Sequence, residues 1–239
     1  MNNLNPYNQV DFKSKFETSP IAKAIAQDYD ILGWANTFTR PIDYSYTQRQ
    51  LLGDKTLIDT STYFSMVAFY YLEKLLEKNP ATIYDLGCGW NIFKRYIPNI
   101  VGVDTQLESK PFFADINDLV DDDYIQYHQN FFESVFAINM LHYRSIKELE
   151  KIIAGFVSMV KPGGRGFFTL NLHPLVINTP VEDLIEVFSS ATPTTNQFEI
   201  FIRNILDNIV CHYLVVDINF SNGINNGLDG NVRVVFERI

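Results

Sequence analysis

Two carboxylates and two glycines, Asp85, Gly87, Gly89 and Asp104, are the residues of this sequence whose types and spacing speak of chemistry. Asp85-Leu86-Gly87-Cys88-Gly89 follows an apolar run, Ala81-Thr82-Ile83-Tyr84. A second apolar run, Ile100-Val101-Gly102-Val103, ends in Asp104. Glycines let a turn fold tightly and let a ligand lie against bare backbone. A carboxylate at the tip of the following strand can accept both hydroxyls of a ribose. The spacing therefore predicts strand, glycine turn, short connection and second strand, arranged around an adenosyl-type ligand.

The elements that must position these residues can be read from periodicity. Residues 1 to about 79 read as helical, with one helix starting at Ile21-Ala22-Lys23-Ala24 after Pro20 and another over 61–78. In the second, Phe64, Val67, Ala68, Tyr71, Leu72, Leu75 and Leu76 recur at helical spacing, and Lys78-Asn79-Pro80 stops the run. Trp34 to Tyr46 reads as a loop or cap. From Ala81 onward strands and helices alternate, the mark of a parallel sheet. Glu133 to Asn139 is a buried strand. Ser145 and Glu148 form a capping box ahead of a helix carrying Ile146, Leu149, Ile152, Ile153, Phe156, Val157 and Val160 on one face. Lys161-Pro162-Gly163-Gly164 turns the chain into a strand over 166–172. Residues 180–206 hold one or two helices. Strands over 209–220 and 231–239 are joined by the turn-rich stretch 221–230, so the sheet closes on an antiparallel hairpin.

With these pieces in order, residues 81–239 resemble the class I S-adenosylmethionine-dependent methyltransferases. The resemblance rests on Tyr84 to Gly89, Val101-Gly102-Val103-Asp104, Phe113-Ala114-Asp115-Ile116, Val135 to His142 and Val160 to Gly166. It implies an α/β, Rossmann-like, seven-stranded mixed sheet ending in an antiparallel hairpin, with a helical N-terminal cap over 1–79 and the cofactor domain over 80–239. It implies S-adenosyl-L-methionine as cofactor. Gly87 and Gly89 would lie against its methionine part, Asp85 would face the amino group, and Asp104 would hold the ribose. Asp115 and the Ile116 backbone would meet the adenine, and carbonyls near Asn139 would face the methionine amine. His142 is the nearest general base should the nucleophile carry a proton, with a capping role as its other reading. Trp90 and Tyr143 are candidates for the substrate wall, with packing as the plain alternative.

Departures from the family pattern are visible. Asn91 stands where a third glycine is usual; asparagine tolerates left-handed backbone and caps helices. Only Thr105 to Pro111 separate Asp104 from Phe112. A parallel crossover needs a dozen or more residues, so the third strand should be short and its covering helix missing. The rival nicotinamide fingerprint, G-x-G-x-x-G, needs glycine at position 92, which is Ile92. Cys88, between two glycines, reads as a small packing residue. Asp121-Asp122-Asp123 reads as the solvated start of a helix rather than a metal site.

Bulk composition bounds the partners. Lys+Arg number 19 against 28 Asp+Glu, a net charge of −9, and hydrophobic residues make up 46% of 239. Such a chain buries a sizeable core and is a poor default binder of a phosphate backbone. Asn139-Met140-Leu141-His142 lacks the proline-aromatic clamp for a flipped base. A small-molecule substrate, or a protein side chain, is thus expected and nucleic acid disfavoured. A local basic face from Lys94, Arg95, Arg144 and Lys147 is the counter-case and would favour a phosphorylated or carboxylated acceptor. Two cysteines, Cys88 and Cys211, and no apolar run of membrane length point to a cytoplasmic protein with no metal cluster and no membrane partner. The alternative reading is a catalytically inactive methyltransferase-like module for cofactor or partner binding. Oligomeric state is not readable.

Overall fold

The computed structural model describes residues 71–88, 91–95, 97–105, 114–138, 140–141, 145–171, 175–176, 179–209, 211–222 and 228–239. Of the cap expected over 1–79, residues 1–70 lie outside them. A helix runs over 71–76, with Tyr71, Leu72 and Leu75 fully buried, as their spacing predicts. Asn79 ends it in a left-handed conformation, φ 50°, its amide donating to Leu76 O at 2.8 Å. That is an asparagine terminus, and Pro80 forbids continuation.

Seven strands follow: β1 (Ile83–Leu86), β2 (Ile100–Asp104), β3 (Ile116–Asn117), β4 (Phe132–Ala137), β5 (Val160–Asn171), β6 (His212–Asn222) and β7 (Leu228–Glu237). Their order in the sheet is β3-β2-β1-β4-β5-β7-β6. β1, β2 and β3 pair in parallel, as do β4 and β5, whereas β7 runs antiparallel to both β5 and β6. Four further helices are described: α1 (Asp122–Tyr127), α2 (Leu149–Met159), α3 (Val181–Phe188) and α4 (Thr195–Asn208). Two compact units divide the chain at Val120/Asp121.

In the unit from Asp121 onward the core is aromatic and aliphatic. Phe156 of α2 meets Phe168 of β5 and Phe236 of β7, with ring centroids 5.9 and 6.1 Å away. Gly166 pairs with Phe236, and a Cβ there would lie 2.3 Å from the Phe236 ring, so only glycine fits. Asp121 caps α1 by accepting from Tyr124 N at 3.0 Å, with Asp122 and Asp123 in the first turn, where acids complement the helix dipole. Thr194 and Gln197 form a capping box on α4. The Ser145–Glu148 box caps a 3-10 turn, Ile146–Glu148, and α2 proper starts at Leu149 and ends at Met159.

Two expectations are corrected here. Lys161-Pro162-Gly163-Gly164 is not a turn that precedes a strand; it is a bulge within β5. Phe132 pairs with Val160 and Ser134 with Arg165, so β5 carries the extra residues, with Gly163 at φ 77°. Gly163 N–H donates to Arg238 O at 2.7 Å and Arg238 N–H to Gly164 O at 3.0 Å, so the bulge stays tied to the end of the chain. The hairpin loop is also shorter than 221–230: the ladder continues to Asn222↔Leu228, because backbone pairing overrides the weak strand propensity of Asn, Gly and Asp. The short third strand is as expected, two residues long.

Candidate functional site

The glycine turn lies wholly in the unit that ends at Val120. β1 and β2 pair in register Asp85↔Gly102 and Leu86↔Val103. β1 is apolar enough to be buried and ends where Gly87 turns the chain at φ 73°, a region that side chains rarely adopt. The Gly87 and Cys88 amides both donate to Val103 O, at 2.8 and 3.2 Å. The turn is thereby folded back onto the end of β2. Since the Gly87 amide is committed to Val103, what this residue offers a ligand is bare Cα surface rather than a donor. Asn91 sits at φ 50°, its amide donating to Cys88 O at 2.8 Å, and a 3-10 turn, Ile92–Arg95, follows. Asparagine thus adopts the left-handed backbone that a glycine would at this position.

Asp85 is 3% exposed. Burial, and then the charge of Asp104, push its carboxyl well above the usual carboxylate range. Asp104 closes β2 half-buried, beside Asn117 of β3, and its carbonyl accepts from Asp118 N at 3.2 Å. Cys88 is pushed up by burial and by the charges of Asp85, Asp104 and Asp115. Its thiol stays protonated, so it packs rather than attacks, as its setting between glycines suggests.

Asp115 has a different environment. Its Oδ2 accepts from Gly102 N at 2.8 Å and from Asn91 Nδ2 at 3.1 Å, and its Oδ1 pairs with Lys94 Nζ. Burial alone would raise this carboxyl. The hydrogen bonds from Lys94, Gly102 and Asn91, together with the lysine charge, outweigh that and hold it below the usual range. Ile116 follows in β3 with 40% of its surface exposed. A Cβ on Gly102 would lie 2.7 Å from Asn91 Cγ and Nδ2 and from Cys88 Sγ, so the missing side chain is the space those two groups occupy.

The structure therefore brings Asp85, Gly87, Asp104 and Asp115 into one unit around the end of β2. Gly89, Trp90, Asn139, His142 and Tyr143 lie outside the described residues. Of the candidate basic face, Lys94 is paired with Asp115, and Lys147 with Asp183 at 2.7 Å and Glu186 at 2.5 Å. Among the described residues no group of three or more His, Cys, Asp or Glu is placed to hold a metal ion, and no helix is long and apolar enough to cross a membrane. The convergence of Asn91, Lys94 and Gly102 on Asp115 was not among the sequence-based expectations. A glycine inside an otherwise β-branched strand was the signal available, since it marks a close approach.

Comparison with known proteins bears on the fold. No family model matches the chain, and no curated protein matches it. Among solved structures, the chain is similar to the PH0226 protein from Pyrococcus horikoshii OT3, with a TM-score of 0.50 at 14% identity over 83% of this chain and 100% of that one. It is also similar to the N-methyltransferase NodS from Bradyrhizobium japonicum WM9 in complex with S-adenosyl-L-homocysteine. There the TM-score is 0.48 at 14% identity, over 82% and 99% of the two chains. A third similarity is to the DszA carbon methyltransferase, with a TM-score of 0.45 at 12% identity, over 95% and 68%. At such identities the likeness is one of fold: a Rossmann-like seven-stranded mixed sheet with an antiparallel end pair.

Proposed function

We propose that this protein is an S-adenosyl-L-methionine-dependent methyltransferase whose acceptor is a small molecule or a protein side chain. The observation that carries the reading is Asp85: a carboxyl buried behind a left-handed glycine turn and set near the charge of Asp104. Ionising a carboxyl that is buried and faces a like charge is costly, and a ligand ammonium beside it would offset that cost. The residues present fit the cofactor's chemistry. Asp85 suits its ammonium, bare Gly87 backbone its methionine chain, and the Asp104 carboxylate at the end of β2 its ribose.

Once bound, the cofactor supplies an activated methyl group on a sulfonium. The chain's own work is then to bind, to orient an acceptor in line with that methyl, and to exclude water. Residues after β4, including Asn139, His142 and Tyr143, belong to the proposal through the family resemblance alone. The net charge of −9 supports an acceptor other than nucleic acid.

Thermal-shift and calorimetric titrations with S-adenosylhomocysteine, S-adenosylmethionine and NAD test the reading. Melting should rise with the first two, because a ligand that binds only the native state stabilises it by mass action. No shift with either adenosyl ligand at millimolar concentration would overturn it. Binding without turnover across offered acceptor pools would leave a cofactor-binding module in place of an enzyme.

A further inference from the structure

We infer that Asp115, gripped by Lys94, Asn91 and the Gly102 amide, is a positioning residue that clamps the glycine turn onto β2, rather than the residue that selects the cofactor's adenine. The inference rests on the cofactor reading above. It departs from the role that family resemblance gives this acid.

The geometry is explicit. Asp115 lies just before β3, and its amide donates to Gly102 O at 2.8 Å while its Oδ2 accepts from Gly102 N at 2.8 Å. One residue therefore satisfies both backbone groups of Gly102 and fixes the approach of the third strand to the second. The same Oδ2 accepts from Asn91 Nδ2 at 3.1 Å, and Oδ1 pairs with Lys94. Asn91 and Lys94 stand on the segment that continues the glycine turn. The carboxylate thus ties that segment to the strand beneath it.

Gly102 makes the tie possible: a Cβ there would occupy the space of the Asn91 carboxamide and the Cys88 thiol. Charge-assisted bonds are the strong kind, and three donors on two separate pieces of chain fix an acceptor in one orientation. Holding a binding loop in its bound shape raises affinity by removing the cost of ordering it.

Adenine selection and loop positioning separate cleanly with two ligands, S-adenosylhomocysteine and S-inosylhomocysteine, in which a carbonyl replaces the exocyclic amine. If Asp115 positions the turn, Asp115→Ala should weaken both ligands by the same factor, about tenfold, leaving their ratio as in the parent protein. If Asp115 accepts from the exocyclic amine, the ratio collapses toward unity in the variant, which overturns the inference. Unchanged affinity for both also overturns it.

Lys94→Ala guards against a misfolded Asp115 variant, because Lys94 is 41% exposed. It should weaken both ligands about threefold or more, with the ligand-free melting temperature almost unmoved, since exposed ion pairs contribute little to stability. Lys94→Arg should restore affinity. Loss of melting temperature in proportion to affinity would indicate a merely structural pair and overturn positioning. Amide hydrogen exchange of Gly87 and Cys88, which donate to Val103 O, reads the clamp without any ligand: Lys94→Ala should speed it, and unchanged protection refutes the clamp. Should the parent protein bind neither ligand, the cofactor reading falls while this exchange measurement still decides the clamp.

Discussion

The strands on either side of the Val120/Asp121 division are built on different principles. β1, β2 and β3 have 4, 5 and 2 residues, whereas β5, β6 and β7 have 12, 11 and 10. The long antiparallel ladder is backed by fully buried Phe156, Phe167, Phe168 and Phe236, and the buried polar side chain described on it is the neutral Thr169. The short parallel strands each carry polar chemistry at an end: Asp85 in β1 with Gly87 just after it, Asp104 closing β2, and Asp115 just before β3. Among the described residues Asp85 is the one carboxyl buried below a tenth exposure, and it lies in the short-stranded unit. The difference teaches that the apolar core and the polar strand ends are separable in this chain. One set of strands supplies apolar area, and the other gives up stability to a buried acid and uses glycines for a left-handed turn and a close approach.

The comparison breaks first if the two sets prove interdependent. Phe156→Ala should cost about 3–5 kcal/mol of stability, the range for an aromatic removed from a packed core. Chemical denaturation measures it. Adenosyl-ligand affinity of the protein that remains folded should be unaltered, and a parallel loss of affinity would end the separation argued here. The reverse test follows in size. Asp104→Ala should weaken S-adenosylhomocysteine binding by roughly ten- to a hundredfold, since a lost hydrogen-bond pair to a charged group is worth about 1.5–3 kcal/mol. Because Asp104 is half-buried at a strand end, melting of the free protein should barely change. Gly102→Ala comes next, with overpacking of about 1–3 kcal/mol. Its Cβ displaces Asn91 and Cys88, so it should impair stability and affinity together. Parent-like affinity in the Gly102→Ala variant would show that the turn is not held from below.

Legibility in the sequence followed the same division. The strand-turn-strand frame was readable because glycines and apolar runs are local signals, and the left-handed Asn91 was anticipated from asparagine's tolerance of that backbone. The short β3 followed from arithmetic on a seven-residue connection. Helix starts at Asp121 and Ser145 were legible because caps are made within one turn. What escaped were features fixed by contacts distant in sequence. Asp115 reads as an isolated acid until Lys94, Asn91 and Gly102, 21, 24 and 13 residues away, are seen to converge on it. Lys161-Pro162-Gly163-Gly164 has turn composition, and only its ties to Arg238 make it a bulge within a strand. The outer ends of β6 and β7 are sustained by pairing with each other, in spite of their Asn and Gly residues.

The smallest effect sharpens the comparison most, because it concerns the stability given up at Asp85. Its carboxyl is raised by burial and then by the Asp104 charge, so the native state holds its proton at pH values where the unfolded chain has released it. The native state then binds more protons than the unfolded state, and stability falls as pH rises from the ordinary carboxyl value through the raised one. Asp85→Asn removes that titration. Its pH–stability curve should be flatter than the parent's over this window, with the variant gaining relative stability toward neutral pH. An identical slope in the two proteins would mean that Asp85 ionises as freely in the fold as out of it. Ligand binding should run the other way. An ammonium placed beside Asp85 favours the carboxylate, so adenosyl-ligand affinity should rise with pH over the window in which stability declines, with a proton released on binding. Calorimetry in two buffers of different ionisation enthalpy counts that proton. Asp85→Asn should abolish both the release and much of the affinity, while leaving the variant the more stable protein at neutral pH. A variant that binds as tightly as the parent would show that the buried carboxyl serves no ligand.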